Sequence, residues 1–355
     1  MGRRRTTMDP DRLSDLPDCL LHHIFGFIDF RYYVQAGVLC KRWKLLWTSL
    51  QDLYFDGSEG TGTVFFHRFV FEALSHRLRN PSYPLNKVRL HLKCGMRSSF
   101  LKKFIAYLGS HKVPWFGISF NQNSCFNDRD FAAYFSRTQF PKTVELTRCH
   151  MVPSQSDCQP TWTNLYLHEC YFCPQSILIN SFQNSVNLKE LHLHKCRFPS
   201  RAVLDIWCPR LVNLVLSDLM VNTRDAGDDK FELKVSAPEL LSFSLTLRRP
   251  LHFSLLHLPS LDNVDIRIHS SNNLKIFSFE RLISMFQGFR YVQSVKICSE
   301  TIKMLTMIPG ALEKQSCPFS RLKSLTATCD GSSNYDNIPA IVMAYFLSNS
   351  GLLQH

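Results

Sequence analysis

Leu188-Lys-Glu-Leu191-His-Leu193-His-Lys-Cys196 and Leu211-Val-Asn-Leu214-Val-Leu216-Ser-Asp-Leu219 decide the architecture. Both stretches place apolar residues at the first, fourth and sixth positions and a small or apolar residue at the ninth. Between the fourth and sixth positions the side chains alternate apolar and polar, as in a short strand with one face buried. One such strand cannot cover its own apolar edge, so the frame needs copies of itself to stack on.

Copies lie on both sides. They run as Leu85-x-x-Val88-x-Leu90, Val144-x-Leu146-x-x-Cys149, Leu165-x-Leu167-x-x-Cys170, Leu240-x-x-Phe243-x-Leu245, Leu261-x-x-Val264-x-Ile266, Val292-x-x-Val295-x-Ile297 and Leu322-x-x-Leu325, with Ile118-x-Phe120 set in the early gap. Taking 88, 118, 144, 165, 191, 214, 243, 264, 295 and 325 as equivalent positions, successive repeats are 21 to 31 residues apart. These are irregular leucine-rich-repeat periods, the longer of which leave room for a helix. Phe279 to Phe286 reads as one such helix, and Val64 to Leu78 as another that leads into the repeats.

The expected fold class is therefore α/β: a small N-terminal helical unit, then an irregular leucine-rich-repeat solenoid with a parallel sheet on its concave face. The repeats are assigned to 85–316 and a last repeat to 317–355, with 51–84 as a helical linker. On the concave face strand alternation sends Tyr166 and His168, His192 and His194, Val215 and Ser217, and Asp265 and Arg267 into solvent. Nothing in the core requires these side chains, so they are the candidate target-binding residues.

Residues 9–50 read as a compact helical hook. Asp15-Leu-Pro-Asp18 supplies capping oxygens and a proline suited to a first helical turn. Leu20, Leu21, Ile24, Phe25 and Ile28 then give one broad apolar face, and Trp43, Leu46 and Trp47 fall on one side of a later turn. So short a segment cannot bury this much apolar surface, so some of it must face the rest of the chain or another protein. Asp11 to Asp18, Leu21, Ile24, Ile28, Val38-Leu-Cys-Lys-Arg-Trp43 and Leu46-Trp47 together resemble an F-box. Gly37, Tyr32-Tyr33 and Cys40 depart from that pattern, and Gly37 costs a helix up to about 1 kcal/mol relative to alanine.

The resemblance implies a non-catalytic adaptor subunit of a cullin-RING ubiquitin ligase of the SCF type. Leu16, Pro17, Leu21, Ile24, Val38, Trp43 and Trp47 would be contacts or supports for a Skp-type adaptor and through it a cullin. The repeats would hold the protein to be ubiquitinated. Pro318 to Leu325 followed by Ile338 to Ser350 resembles the start of the FBD region of plant F-box proteins with repeats. The alternative is a repeat module that binds a protein, nucleic acid or membrane-linked partner without a ligase.

Composition limits other readings. Lys plus Arg exceed Asp plus Glu by 41 to 29, a formal charge of +12, yet only Arg3-Arg4-Arg5 forms a run, so no phosphate-tracking stripe is present and nucleic acid is not expected as a partner. Thirteen cysteines spread over 355 residues behind a polar opening fit a reducing compartment, nucleus or cytoplasm, and no apolar run reaches a membrane span. Met1-Gly2-Arg3-Arg4-Arg5-Thr6 matches a myristoylation pattern as well as a basic leader. His168-x-Cys170-x-x-Cys173 with His192-x-His194-x-Cys196 has zinc-ligand residue types. Against a metal, Cys149, Cys170 and Cys196 fall at equivalent repeat positions facing inward while the histidines face outward. Hydrolase, phosphate-loop and zinc-protease motifs are absent, Gly57 to Gly62 reads as a linker, and no cofactor or catalytic residue is expected.

Overall fold

The computed structural model describes residues 12, 15–25, 30–38, 42–58, 63–78, 84–93, 98–121, 139–151, 159–172, 178–179, 182, 185–222, 231–248, 252–269, 276–328 and 338–348. Leu13, Ile28, Leu39, Cys40, Cys173, the Gly2 leader and most of the Gly57–Gly62 stretch lie outside these residues. Three short helices, Asp18–Phe25, Phe30–Ala36 and Trp43–Leu46, form the hook. The second ends one residue before Gly37, whose amide bonds the Val34 carbonyl in a turn, so the glycine stops the helix rather than weakening its middle.

Eleven parallel strands follow in one sheet, from Asp52–Gly57 at one edge to Ser324–Thr328 at the other. The registers are direct. Leu165, Leu191, Leu214 and Phe243 stack in one row, and Leu167, Leu193, Leu216 and Leu245 in the next. All eight are at most 2% exposed. Full burial of each such side chain contributes on the order of 1.5–3 kcal/mol.

Two sequence expectations change. Residues 51–84, read as a helical linker, also supply the first strand, since Leu53 and Phe55 pair with Val88 and Leu90. In the early gap Phe116, not Ile118, aligns with Val88. The spacings there become 28 and 28 residues in place of 30 and 26, from positions 88, 116 and 144. The cause is an atypical strand, Trp115–Phe120, in which buried Gly117 lies beneath the Trp115 ring and breaks the alternation.

The layer behind the sheet is mixed. Helices Ser98–Ser110, Ile276–Phe286 and Ser299–Thr306 back its ends. Between them the chain uses strands instead: Leu178–Ile179, Val203–Trp207, Glu232–Ser236 and His252–His257 form a second parallel sheet. Helices pack 8–10 Å apart and strands about 4.8 Å apart. A helical backing therefore takes more width per repeat in the outer layer than a backing of strands does.

At the bends after four successive sheet strands one residue other than glycine takes a left-handed backbone: Arg148, Glu169, Lys195 and Asp218, with φ of 58°, 53°, 51° and 51°. Such residues cost on the order of 1–3 kcal/mol each. The cost is offset because each donates its amide at 2.8 Å to a carbonyl at the end of the next strand: the last residue His168, His194 or Ser217 for the first three and the penultimate Thr246 for Asp218. Their charges alternate in sign along the stack. Arg148 bridges Glu169 at 2.8 Å, and Arg248 reaches Asp218 at 3.8 Å.

Cys149, Cys170 and Cys196 follow three of these bends and are fully buried. Burial away from water pushes the Cys149 and Cys196 thiols well up. Cys170 donates to the Leu146 carbonyl at 3.4 Å, and Cys196 to the Leu167 carbonyl at the same distance. Native protein treated with iodoacetamide should label these three slowly and exposed Cys19 quickly, the difference vanishing on unfolding, as read by peptide mass spectrometry.

Candidate functional site

The hook divides the predicted adaptor residues into supports and exposed groups. Leu21, Trp43 and Trp47 are at most 7% exposed. Phe25 stacks on Tyr33 at 4.2 Å and meets Trp43 edge-on at 5.1 Å, while Phe30 sits between Trp47 at 5.6 Å and Phe55 of the first strand at 5.0 Å. The hook is thus seated on the solenoid through aromatic rings. Arg31 donating to the Asp56 carbonyl at 3.0 Å and Arg77 to the Leu50 carbonyl at 2.6 Å fix that seat. Leu16 is half-buried, its carbonyl held by Arg42, which also pairs with Asp18.

Pro17, Ile24 and Val38 face outward, Ile24 at 41% and Val38 at 89% exposure. Leu20, at 48%, lies one helical turn before Ile24 and extends the same ridge, and Tyr32 is exposed on the second helix. The sequence reading missed Leu20 as a contact because a single broad apolar stripe does not say which edge faces inward. Its signal was the i, i+4 spacing to Ile24.

His22 ties the first helix to the second and to the short turn Trp47–Ser49 that follows the third. Its Nδ1 lies 3.0 Å from the Tyr33 hydroxyl and its Nε2 3.0 Å from Ser49 Oγ. Ser49 spends its only proton on the Leu46 carbonyl at 2.7 Å, so His22 Nε2 must donate and Nδ1 must accept from Tyr33. The network needs the neutral ring. Burial lowers the His22 pKa, with Asp18 opposing.

On the sheet the open-face residues form continuous rows. The middle row runs Tyr54, Arg89, Gly117, Glu145, Tyr166, His192, Val215, Ser244, Asp265 and Lys296. Tyr166 and His192 are neighbours, with rings 4.7 Å apart, and so are His168 and His194 at 5.8 Å. Asp265 and Arg267 stand together two strands beyond Val215 and Ser217, bonded to each other at 3.0 and 3.1 Å. All the predicted target-facing residues thus share one face, but as two groups.

On this face sequence reasoning missed Glu190. Its carboxylate accepts from Asn164 at 3.0 Å, Tyr166 at 2.9 Å and Asn213 at 3.3 Å, and pairs with His192 at 2.8 Å. It orients the patch while using up the patch's polar groups. His194 bonds Ser217 at 2.8 Å, and its pKa is lowered by burial first, then by His168 and Lys195. Cys170 and Cys196 point into the core, away from the histidine face, and no group of residues suited to a metal occurs among the described residues. Among them too, no helix is long and apolar enough to cross a membrane.

Residues 13–54 match the F-box domain family. The chain is 25% identical over 255 residues to an Arabidopsis thaliana F-box/FBD/LRR-repeat protein, covering 66% of this chain and 53% of the relative. It is 24% identical over 345 residues to an F-box/LRR-repeat protein of that plant, covering 93% and 68%. These matches support a plant F-box protein with leucine-rich repeats. A third relative, F-box/LRR-repeat protein 25 of Arabidopsis thaliana, is 25% identical over 215 residues, 58% of this chain and 67% of the relative. Among the first relatives matched, this F-box/LRR chain spans as little as 34% of their length. The matched F-box runs four residues beyond the expected end at 50, to include the start of the first sheet strand.

Because His22 and His194 have lowered pKa values in the fold, their contribution to stability is complete above pH about 6.5 and is lost as pH falls through the native values. Thermal unfolding should therefore show a lower Tm at pH 5.0 than at pH 7.5. The His22→Gln variant should show a smaller difference between the two.

Proposed function

We propose that this chain is the substrate-recognition subunit of an SCF-type cullin-RING ubiquitin ligase, docking a Skp-type adaptor through the hook and a target protein through the open face of the sheet. The observation that carries the reading is the outward ridge of Leu20 and Ile24, with Val38 also exposed, on an F-box whose other apolar side is already used against the solenoid. Three large apolar side chains held in water on a rigid support form an unsatisfied surface, and burial against a partner is worth on the order of 1.5–3 kcal/mol for each. F-box domains in general bind Skp-type adaptors, which gives that surface its partner class.

The chain itself performs no transfer step in this reading. Its contribution is proximity: a target held on one end of a rigid body whose other end is fixed to the ligase. Cys149, Cys170, Cys196, Cys208, Cys298 and Cys317 are buried, so none of them is placed to carry ubiquitin as a thioester.

The test separates contact from support. Leu20→Glu combined with Ile24→Glu should abolish co-purification with a Skp-type adaptor at unchanged Tm. Trp43→Ala should instead lower folding stability by about 3–5 kcal/mol, because it empties a buried site. Adaptor binding that survives the double variant would remove the ridge as the contact, and a wild-type chain that captures no adaptor would favour the repeat module without a ligase. On the target side, changing Tyr166, His168, His192 and His194 to Ala should abolish target capture with adaptor binding intact, measured by affinity purification with the proteasome blocked.

A further inference from the structure

Where the hook meets the first strands there is a cavity of about 290 Å³. Its walls come from both units: Phe25, Phe30, Tyr33 and Leu50 from the hook and Leu53 from the first strand. Its mouth carries Lys87 and Arg89 beside Asp52 and Tyr54, on the same open face as Glu145 and Tyr166. The space is walled by side chains that are already packed elsewhere.

The two cations are held in place yet have hydrogen-bonding capacity to spare. Lys87 Nζ sits 3.8 Å from the Trp115 ring centre, and the Arg89 guanidinium 5.2 Å from the same ring. Arg89 bonds Glu145 through Nη2 alone, at 3.1 and 3.2 Å. The Lys87 ammonium makes no hydrogen bond or ion pair among the described residues, and the Nε and Nη1 donors of Arg89 make none either. Trp115 can lie where it does because residue 117 is glycine: a Cβ there would stand 2.4 Å from the ring. Gly117 thus holds open the aromatic platform that presents the cations.

We infer that this cavity is the anchor subsite for the target: it takes one large apolar side chain, and Lys87 with Arg89 receives a carboxylate from a residue beside it in the same segment. The inference rests on the proposed use of the open face for targets. Three features select this occupant. The volume falls just below the range of about 300–1,000 Å³ usual for drug-sized ligands, so a single side chain suits it better than a whole cofactor. The cavity continues the face that carries Tyr54, Trp115 and Tyr166, the residue types in which interface energy concentrates. Ammonium and guanidinium donors with open valences call for an anion, and a carboxylate is the peptide group that supplies one.

A peptide library displayed on phage and selected against the full-length chain tests this directly. Wild type should enrich sequences with an aromatic or large aliphatic residue within two positions of Asp or Glu. Lys87→Glu should lose the acidic preference, and Leu50→Phe, which fills the cavity, should weaken the selected peptides at least tenfold. Adaptor binding and Tm are measured on the same variants and should not change, so loss of the subsite is distinguishable from failure of the ligase reading. Failure to enrich any sequence, an unchanged consensus with Lys87→Glu, or undiminished binding to Leu50→Phe would overturn the proposal.

Discussion

Everything in this molecule depends on parallel strands stacking without slip. A shift of one residue in any strand would turn its leucines to water and its polar side chains into the core. In the central repeats register is held at both ends of the strand. At one end the left-handed residue of the bend donates its amide to a carbonyl at the end of the next strand, and oppositely charged side chains alternate along the same line. At the other end the residue before each strand reaches back similarly, as Lys189 does to the Thr163 carbonyl at 2.7 Å and Val212 to the Lys189 carbonyl at 2.8 Å. The strain of a left-handed Arg or Lys is tolerated because neighbouring repeats impose it. Once register is set, the rows of the open face follow.

The second constraint is the aromatic seam of Phe25, Phe30, Tyr33, Trp43, Trp47 and Phe55. It seats the hook on the edge of the sheet, and Arg31 covers one of the edge strand's carbonyls. This explains why only one side of the hook remains available. It also makes the distance from docking ridge to open face a property of one packed body, which suits a subunit that acts by orientation. His22 makes the seam dependent on a neutral imidazole, and Glu190 does for the open face what His22 does for the hook: a single residue collects the hydrogen bonds of its neighbours.

The repeats were legible in the sequence because a row of leucines leaves a period-two signature in every strand, as Leu191 and Leu193 do. The third strand was misaligned by two residues because Gly117 and Trp115 disturb that signature. Behind the sheet, Val203–Trp207 and Glu232–Ser236 alternate too, but short apolar segments between frames do not reveal whether strand or helix fills the gap. The bend charges Arg148, Glu169, Lys195 and Asp218 lie 21 to 26 residues apart, from 169 − 148 = 21, 195 − 169 = 26 and 218 − 195 = 23. Their pairing becomes visible only with register. For the hook, residue types identified the family, while the split into buried Trp43 and exposed Leu20 is a tertiary fact that no local pattern carries.

The central claim is the division of labour between an outward ridge on the hook and an independent open face on the sheet. Hydrogen exchange of the full-length chain with and without a purified Skp-type adaptor tests it most directly. The account predicts new protection in Asp18–Phe25 and around Val38, with Asn164–His168 and Glu190–His194 unchanged. Protection spread over those sheet strands, or none on the hook, would contradict it.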